Sequence, residues 1–291
     1  MREIVIISGK GGAGKTSVTG AFAHLAQDAV VADLDVDAPD LHLLLSPEPY
    51  VTEPFVSGNE AVIDPERCAA CGVCAEACRF EAVIPGEHAY SIDPVRCEGC
   101  KTCVVLCPEN AIAFPARTCG EWFLSETRFG PMAHARLFPG EENSGKLVTE
   151  IKRRARDLAE ERGLSLVLAD GAPGIGCPVI SSLSGTDLAV VVTEPTVSGR
   201  HDLERVADLC AHFRVPVAVF INKFDLNREQ TSGIEAWCEE RGIPVVCRLP
   251  HHKGVTKAML RGKVVTEYDP LALGEPLAAA WKRIVDLANK H

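Results

Sequence analysis

The chain has 291 residues, 46% hydrophobic and 24% charged, the composition of a globular protein with room for one large core and a small extra module. Its net charge of −10 argues against the broad basic surface that nucleic-acid binding needs. No apolar run approaches the ~18 residues needed to cross a bilayer, and Ile4-Val5-Ile6-Ile7 is too short for a signal peptide's apolar core. A cytoplasmic location is expected, and in that reducing compartment the thirteen cysteines point to metal rather than to disulfides.

Residues 4–8 read as a buried parallel strand and residues 15–27 as a helix, with Val18, Ala21, Phe22 and Leu25 on one side. Between them residues 9–16 (GKGGAGKT) satisfy the phosphate-loop pattern G-x-x-x-x-G-K-T. Backbone N–H groups of Gly11, Gly12, Ala13 and Gly14 can curl around phosphates, aided by the helix N-terminus that continues through Ser17. Lys15 would neutralise β- and γ-oxygens, and Thr16 would offer its hydroxyl to Mg²⁺. Residues 30–33 form a second strand that ends in Asp33, Asp35 and Asp37, at the strand end where ligands of open α/β sheets collect. Residues 41–45 begin a helix that Pro47 and Pro49 stop.

From residue 58 to 116 the texture changes to short elements crowded with Cys, Gly and Pro. Cys68, Cys71, Cys74 and Cys78 repeat as Cys97, Cys100, Cys103 and Cys107, each set spaced C-x2-C-x2-C-x3-C. The repeat extends beyond the cysteines, since Ile63-Asp64-Pro65 matches Ile92-Asp93-Pro94 at an offset of 29 residues. This spacing holds 4Fe–4S clusters, and in two-cluster modules the fourth cysteine of each run serves the other cluster. Cys68, Cys71, Cys74 and Cys107 are therefore expected at one cluster, and Cys97, Cys100, Cys103 and Cys78 at the other. Zinc is the competing reading of paired C-x2-C, but it has no use for the third cysteine. Pro108 follows Cys107 while Arg79 follows Cys78, a departure that bears on cluster properties more than on presence.

Beyond the insert, residues 164–169, 188–193, 215–221 and 244–249 read as buried parallel strands separated by helical patterns. The fold class is α/β, a doubly wound parallel sheet (residues 1–57 and 117–291) with an inserted two-cluster ferredoxin-like α+β domain (58–116). Asp170-Gly171-Ala172-Pro173-Gly174 follows one strand, and Asn222-Lys223-Phe224-Asp225 follows another. The basic run Lys152, Arg153, Arg154, Arg156 is expected on a solvated helix face. Trp122-Phe123 and residues 128–132 read as a turn-rich apolar connection whose side chains pack in the core, with a hinge between modules as the alternative, and 275–291 as a packed helix. Cys210, Cys238 and Cys247 are expected in the core, with core or loop the default for Cys119.

The loop K-G-G-x-G-K-T, with its extra lysine Lys10, resembles the deviant Walker A loop of the MinD/ParA/Mrp superfamily of P-loop ATPases (SIMIBI class), which includes the nitrogenase iron protein. The resemblance implies Mg-ATP hydrolysis in a nucleotide-sandwich dimer, homo- or heterodimeric with a related ATPase, in which Lys10 reaches the partner's phosphates. It also implies that Asp35 orients the attacking water, that Asp170 holds Mg²⁺ through water, and that Gly174 senses the γ-phosphate. Asn222, with Lys223 and Asp225, would recognise adenine, and Pro250 would sit in a base-packing loop; His251 and His252 receive no assigned contact. N-K-x-D alone would suggest guanine. With the insert, the chain resembles members that carry a two-cluster ferredoxin domain and occur with Mrp-like and orange-protein-complex proteins. The implied cofactors are ATP, Mg²⁺ and two 4Fe–4S clusters, and the implied partner is a redox or iron–sulfur acceptor protein. No nucleic-acid partner and no stable membrane anchor are expected. The resemblance further places Cys177, seven residues after Asp170, where the iron protein has a ligand of an interfacial cluster. A spatial-organising ATPase with structural or sensory clusters is the alternative.

Overall fold

The computed structural model describes residues 1–141 and 143–290. In chain order the first elements are β1 (Arg2–Ser8), α1 (Lys15–Leu25), β2 (Ala29–Asp33), α2 (His42–Leu45) and β3 (Glu48–Asn59). Next come β4 (Val62–Ile63), α3 (Val73–Ala77), β5 (Val83–Ile84), β6 (Ser91–Ile92), α4 (Thr102–Leu106) and β7 (Ile112–Ala113). The chain continues with β8 (Ala116–Thr127), β9 (Gly130–Leu137), α5 (Ser144–Arg162), β10 (Leu166–Pro173), α6 (Cys177–Leu183), β11 (Leu188–Thr193) and α7 (Val197–His212). It closes with β12 (Val217–Asn222), α8 (Arg228–Glu240), β13 (Val245–Leu249), α9 (Lys253–Met259), α10 (Val265–Tyr268) and α11 (Glu275–Ala288).

Two compact units emerge, one of Met1–Glu53, Trp122–Arg136 and Ser144–His291, the other of Pro54–Glu121 and Leu137–Asn143. The larger is built on a parallel sheet. β13, β12, β11, β1, β10, β2 and β9 lie side by side in that order, each parallel to its neighbour. β1 is buried from Glu3 to Ser8 and apolar from Ile4 to Ile7, the unalternating run of a parallel strand covered on both faces. Phe22 of α1 packs edge-on to Phe220 of β12, with centroids 6.2 Å apart, and lies 5.1 Å from Trp281 of α11. Leu277, Ala280, Ile284 and Ala288, spaced three and four residues apart, form the buried stripe of α11.

Three strands depart from the sequence reading. α2 stops before Pro47 as expected, but a strand, β3, follows it, and the apolar stretch around Trp122 forms β8 and β9 instead of a turn-rich connection, with Trp122 and Met132 buried as expected. Only Arg128 and Phe129 separate β8 from β9, and Thr127 Oγ1 donates to Gly130 O at 2.7 Å to close the turn. The basic run is the other correction. Lys152 is 4% exposed, 2.5 Å from Glu3 Oε1, and also donates to Ser184 O at 2.9 Å and to Ser182 O. Arg156 bonds the second Glu3 oxygen at 2.7 Å. A buried ammonium this close to a carboxylate and several carbonyls is a structural tie between α5, β1 and the end of α6, not part of a solvated face. Arg153 keeps the expected exposure, whereas Arg154 lies over the Trp122 ring at 4.1 Å.

The smaller unit preserves the duplication in its backbone. β4 pairs antiparallel with β7, and β5 with β6, so the first strand of each repeat pairs with the last strand of the other. Asp64 N donates to Ala111 O at 2.8 Å, and its repeat mate Asp93 N to Ala82 O at 2.7 Å. Left-handed backbone recurs at the same offset: Ala70 with Gly99, Gly72 with Lys101, Glu81 with Asn110. Four of these six carry a Cβ, so the chain tolerates strain to keep these bends. Its apolar cluster is small, centred on Ala61, Cys74, Val83 and Ile112, with partly buried Ile63, Ile92 and Phe114 packed against it.

Candidate functional site

The phosphate loop runs between the C-terminal end of β1 and the first turn of α1, beside the neighbours β10 and β11 that lie on either side of β1. Gly14 caps α1 with φ 95°, and a Cβ there would meet Asn222 Nδ2 at 2.3 Å. Glycine is required on both counts. Asn222 Nδ2 donates to Ala13 O at 2.8 Å, and Lys223 Nζ donates to Gly12 O at 3.1 Å, so the end of β12 braces the loop from outside.

Lys15 is 6% exposed, 3.3 Å from Asp35 Oδ2 and 3.1 Å from Asp170 Oδ2. Burial alone would push its ammonium down, but Asp170, Asp35 and Asp33 outweigh that and hold its pKa up. Thr16 Oγ1 donates to Asp170 Oδ2 at 2.9 Å and Thr19 Oγ1 to Asp170 Oδ1 at 2.7 Å. Asp33 is 1% exposed; its Oδ1 accepts from Asp35 N at 3.2 Å while Oδ2 has no hydrogen-bond partner among the described residues. Burial, then the charge of Asp170, raise the Asp33 pKa well above the ordinary carboxylate range. Burial also raises Asp35. Even with a proton held on Asp33, the carboxylates of Asp35 and Asp170 outnumber Lys15, an excess of negative charge that suits a divalent cation. Mg²⁺ keeps several of its waters and needs few protein ligands, so Thr16 and Asp170 fit it, with the bare Asp33 oxygen close by in the sheet.

A carboxylate forced to keep its proton opposes folding as pH rises. The folded protein holds a proton on Asp33 that the unfolded chain has released, so stability falls from the ordinary Asp range up through the raised folded value. Asp33→Asn, uncharged and of the same shape, is expected to raise the melting temperature of the ligand-free protein at pH 7, equivalent to about 1–2 kcal/mol. The same variant should weaken Mg²⁺-dependent nucleotide binding, so melting curves with and without Mg-ATP test both halves.

Lys10 Nζ is 2.8 Å from Glu194 Oε1 and donates to Ser198 Oγ at 3.0 Å, and Lys223 Nζ meets the other Glu194 oxygen at 3.0 Å. Gly174, with φ 91°, donates its N–H to Ser8 O at 2.8 Å. A cavity of about 430 Å³ opens over the loop, lined by Gly11, Gly12, Gly14, Lys15, Thr16, Ser17, Asp35, Asn222 and Lys223. Its apolar wall comes from Val255, Met259, Val265, Leu277 and Leu249. Pro250 and Asp225 are not among the lining residues. Asp225 instead accepts from His251 N at 2.6 Å, and His252 Nδ1 accepts from Gly254 N to cap α9. Thr19, Glu194 and the wall of α9, α10 and α11 were missed from sequence. Thr19 was findable, since it stands one turn after Lys15 on the same helix face.

In the smaller unit the eight repeated cysteines divide between two concavities. Cys68, Cys71, Cys74 and Cys107 line one; Cys78, Cys97, Cys100 and Cys103 line the other. The crossed strand pairing carries the last cysteine of each run to the opposite site. Among the described residues, no three His, Cys, Asp or Glu side chains form a group that could hold a single metal ion. A mononuclear zinc site would draw sulfurs to about 3.8 Å of one another around bonds of ~2.3 Å. Cys119 is buried, 3.1 Å from Ser57 O, and Cys177 is exposed at the start of α6. Cys210 and Cys247 are buried, with thiols pushed up to about 12, and Cys238 to about 11, which leaves them inert.

Residues 4–265 match the family of the CobQ/CobB/MinD/ParA nucleotide binding domain. An uncharacterized protein of Methanocaldococcus jannaschii, MJ0578, is 34% identical over 228 residues, 77% of this chain and 79% of that protein. The septum site-determining protein MinD of Pyrococcus horikoshii, complexed with Mg-ADP, shares the fold at 17% identity and TM-score 0.61, over 99% of this chain and 98% of that one. The cell division ATPase MinD of Pyrococcus furiosus does so at 17% identity and TM-score 0.60, over 98% and 99%. With its phosphate loop, buried lysine and carboxylate-lined cavity, this chain belongs to the CobQ/CobB/MinD/ParA nucleotide-binding family.

Proposed function

We propose that this protein is a Mg-ATP-hydrolysing dimeric switch that carries two 4Fe–4S clusters and couples nucleotide state to electron transfer or to iron–sulfur cluster delivery. The observation that carries the reading is the division of eight cysteines into two four-thiolate concavities on the chain that also holds the phosphate loop. The thin apolar cluster of the smaller unit supports it, because so small a core ordinarily needs metal or disulfide staples. The left-handed bends beside the cysteines support it too, since they recur at the same offset in both halves, and Ala111 N donates to Cys107 Sγ at 3.4 Å.

At the nucleotide, Lys15 neutralises phosphate oxygens, Thr16 and Asp170 hold Mg²⁺, and Asp35 orients the attacking water. Catalysis of this kind works through positioning and charge stabilisation. Asn222 steadies the loop and faces the cavity that takes adenine. Lys10, paired with Glu194 in the single chain, acts across the dimer on the partner's phosphates. Bound clusters would supply one-electron chemistry; the chain's part is to hold them by Cys68, Cys71, Cys74 and Cys107 and by Cys78, Cys97, Cys100 and Cys103. The domain carrying them is the inserted segment 58–116, and its acceptor is a redox or iron–sulfur protein.

The test is anaerobic purification with iron analysis, followed by ATPase assays with the clusters oxidised and reduced. About eight irons per chain and a rate that changes with redox state are expected. A chain without iron after reconstitution would sink the cluster assignment, and a rate indifferent to redox state would sink the coupling. The solved MinD structures favour a spatial-organising ATPase as the second reading. Polar localisation that is lost in Lys15→Ala and indifferent to cysteine substitution would select it.

A further inference from the structure

The two cysteine concavities are related by a duplication, so any side chain that differs between repeat mates marks a difference between the sites. Position 102 is such a place. Thr102 Oγ1 lies 3.4 Å from Cys100 Sγ, and toward a deprotonated, iron-bound sulfur the hydroxyl is the donor. Its mate in the other repeat is Val73, the same shape without the hydroxyl, at the site of Cys71. Neighbouring positions diverge in charge. Lys101 and Glu98 both line the Cys100 site, where Gly72 and Ala69 line the other. Glu109 lines the Cys68 site, and its mate Phe80 lines the Cys100 site. The charged lining therefore balances at one site and leaves a net negative charge at the other.

Resting on the cluster assignment above, we propose that Thr102 and Lys101 make the two clusters unequal. The cluster held by Cys78, Cys97, Cys100 and Cys103 has the higher reduction potential, so a single electron settles there. Reduction adds one negative charge to a cluster, and a hydrogen bond to ligand sulfur or a nearby cation stabilises the reduced form more than the oxidised one. The electron comes from a low-potential one-electron donor, dithionite in the test, and no bond is made or broken. Two features of the Cys68 site do not reverse the order. Ala111 N donates to Cys107 Sγ at 3.4 Å and offsets one hydrogen bond, but the charged lining, Lys101 beside Glu98 at one site against Glu109 alone at the other, still favours the Cys100 site. Tyr90 lines that site, but among the described residues its hydroxyl makes no hydrogen bond to a cysteine sulfur.

The experiment is a reductive titration of the reconstituted full chain, followed by electron paramagnetic resonance. The wild-type protein is expected to reduce in two separated steps. Thr102→Val, which keeps the side-chain shape, should lower the upper step and leave the lower one in place. Val73→Thr should raise the lower step, so the two substitutions narrow the gap from opposite sides. Equal potentials in the wild type, or a Thr102→Val variant in which neither step moves or only the lower one does, would overturn the proposal. Eight irons with equal potentials would refute this inference alone. Absence of iron would remove the cluster assignment and this inference with it.

Discussion

The double variant Cys68→Ala/Cys107→Ala is expected to retain one cluster, about four irons per chain, while Cys68→Ala/Cys78→Ala retains none. By chain position the outcome would be reversed. Cys68 and Cys78 open and close a single run, so a cluster built from consecutive cysteines would lose both ligands from one site and leave the second run whole. The folded unit divides the ligands otherwise. β4 pairs with β7 and β5 with β6, and Cys107 lines the concavity of Cys68, Cys71 and Cys74. Removing Cys68 and Cys78 therefore takes one thiolate from each site. Iron analysis with absorbance near 400 nm separates the two patterns, and equal iron in the two variants would contradict the crossed assignment. The variant that loses both clusters should also lose much of the smaller unit's stability, since its apolar cluster is small.

Lys15→Met should lower ATP hydrolysis by at least about 100-fold, in line with the loss of a charge clamp on a transferring phosphoryl group. The substitution also acts before any ligand binds. Lys15 is the cation within 3.3 Å of half-buried Asp35 and 3.1 Å of buried Asp170, and Asp33 stands alongside. Without it the carboxylates face one another and one of them must take up a further proton. The ligand-free variant is expected to melt lower by the equivalent of about 1–3 kcal/mol, with the deficit growing as pH rises. Adding Asp33→Asn should recover part of that stability and none of the activity. Recovered hydrolysis in the double variant would show that Lys15 serves the fold and not the phosphate.

Much of the nucleotide site was legible because it is local. Residues 9–17 contain the loop, the buried lysine and the hydroxyl together, and the strand–loop–helix context is written in the apolar run on one side and the helical spacing on the other. Asp35, Asp170 and Asn222 were legible for a related reason: each follows a buried strand, and parallel strands bring their ends to one edge of the sheet. Glu194 stands at such a strand end too, but nothing in its surroundings marks it until Lys10 and Lys223 are seen to share it. The wall of Val255, Met259 and Val265 was hidden because its short helices have weak periodicity, and their position depends on how α11 packs. Lys152 misled for the opposite reason. A lysine between arginines on a charged helix looks solvated, and only the approach of Glu3 from β1 makes its burial tolerable.

By itself the sequence determined the chemistry available. It set a phosphate loop with two lysines, carboxylates at strand ends, and eight thiols in a duplicated spacing, because each of those patterns is fixed by neighbours along the chain. The tertiary structure alone decided which groups meet. It turned Lys10 onto Glu194, left one oxygen of Asp33 bare, buried Lys152 against Glu3, and set Thr102 against Cys100 where Val73 stands in the other half. Those are contacts between residues far apart in the chain or set by a local bend. They arise when the sheet closes and apolar faces are buried, a step to which spacing along the chain is blind.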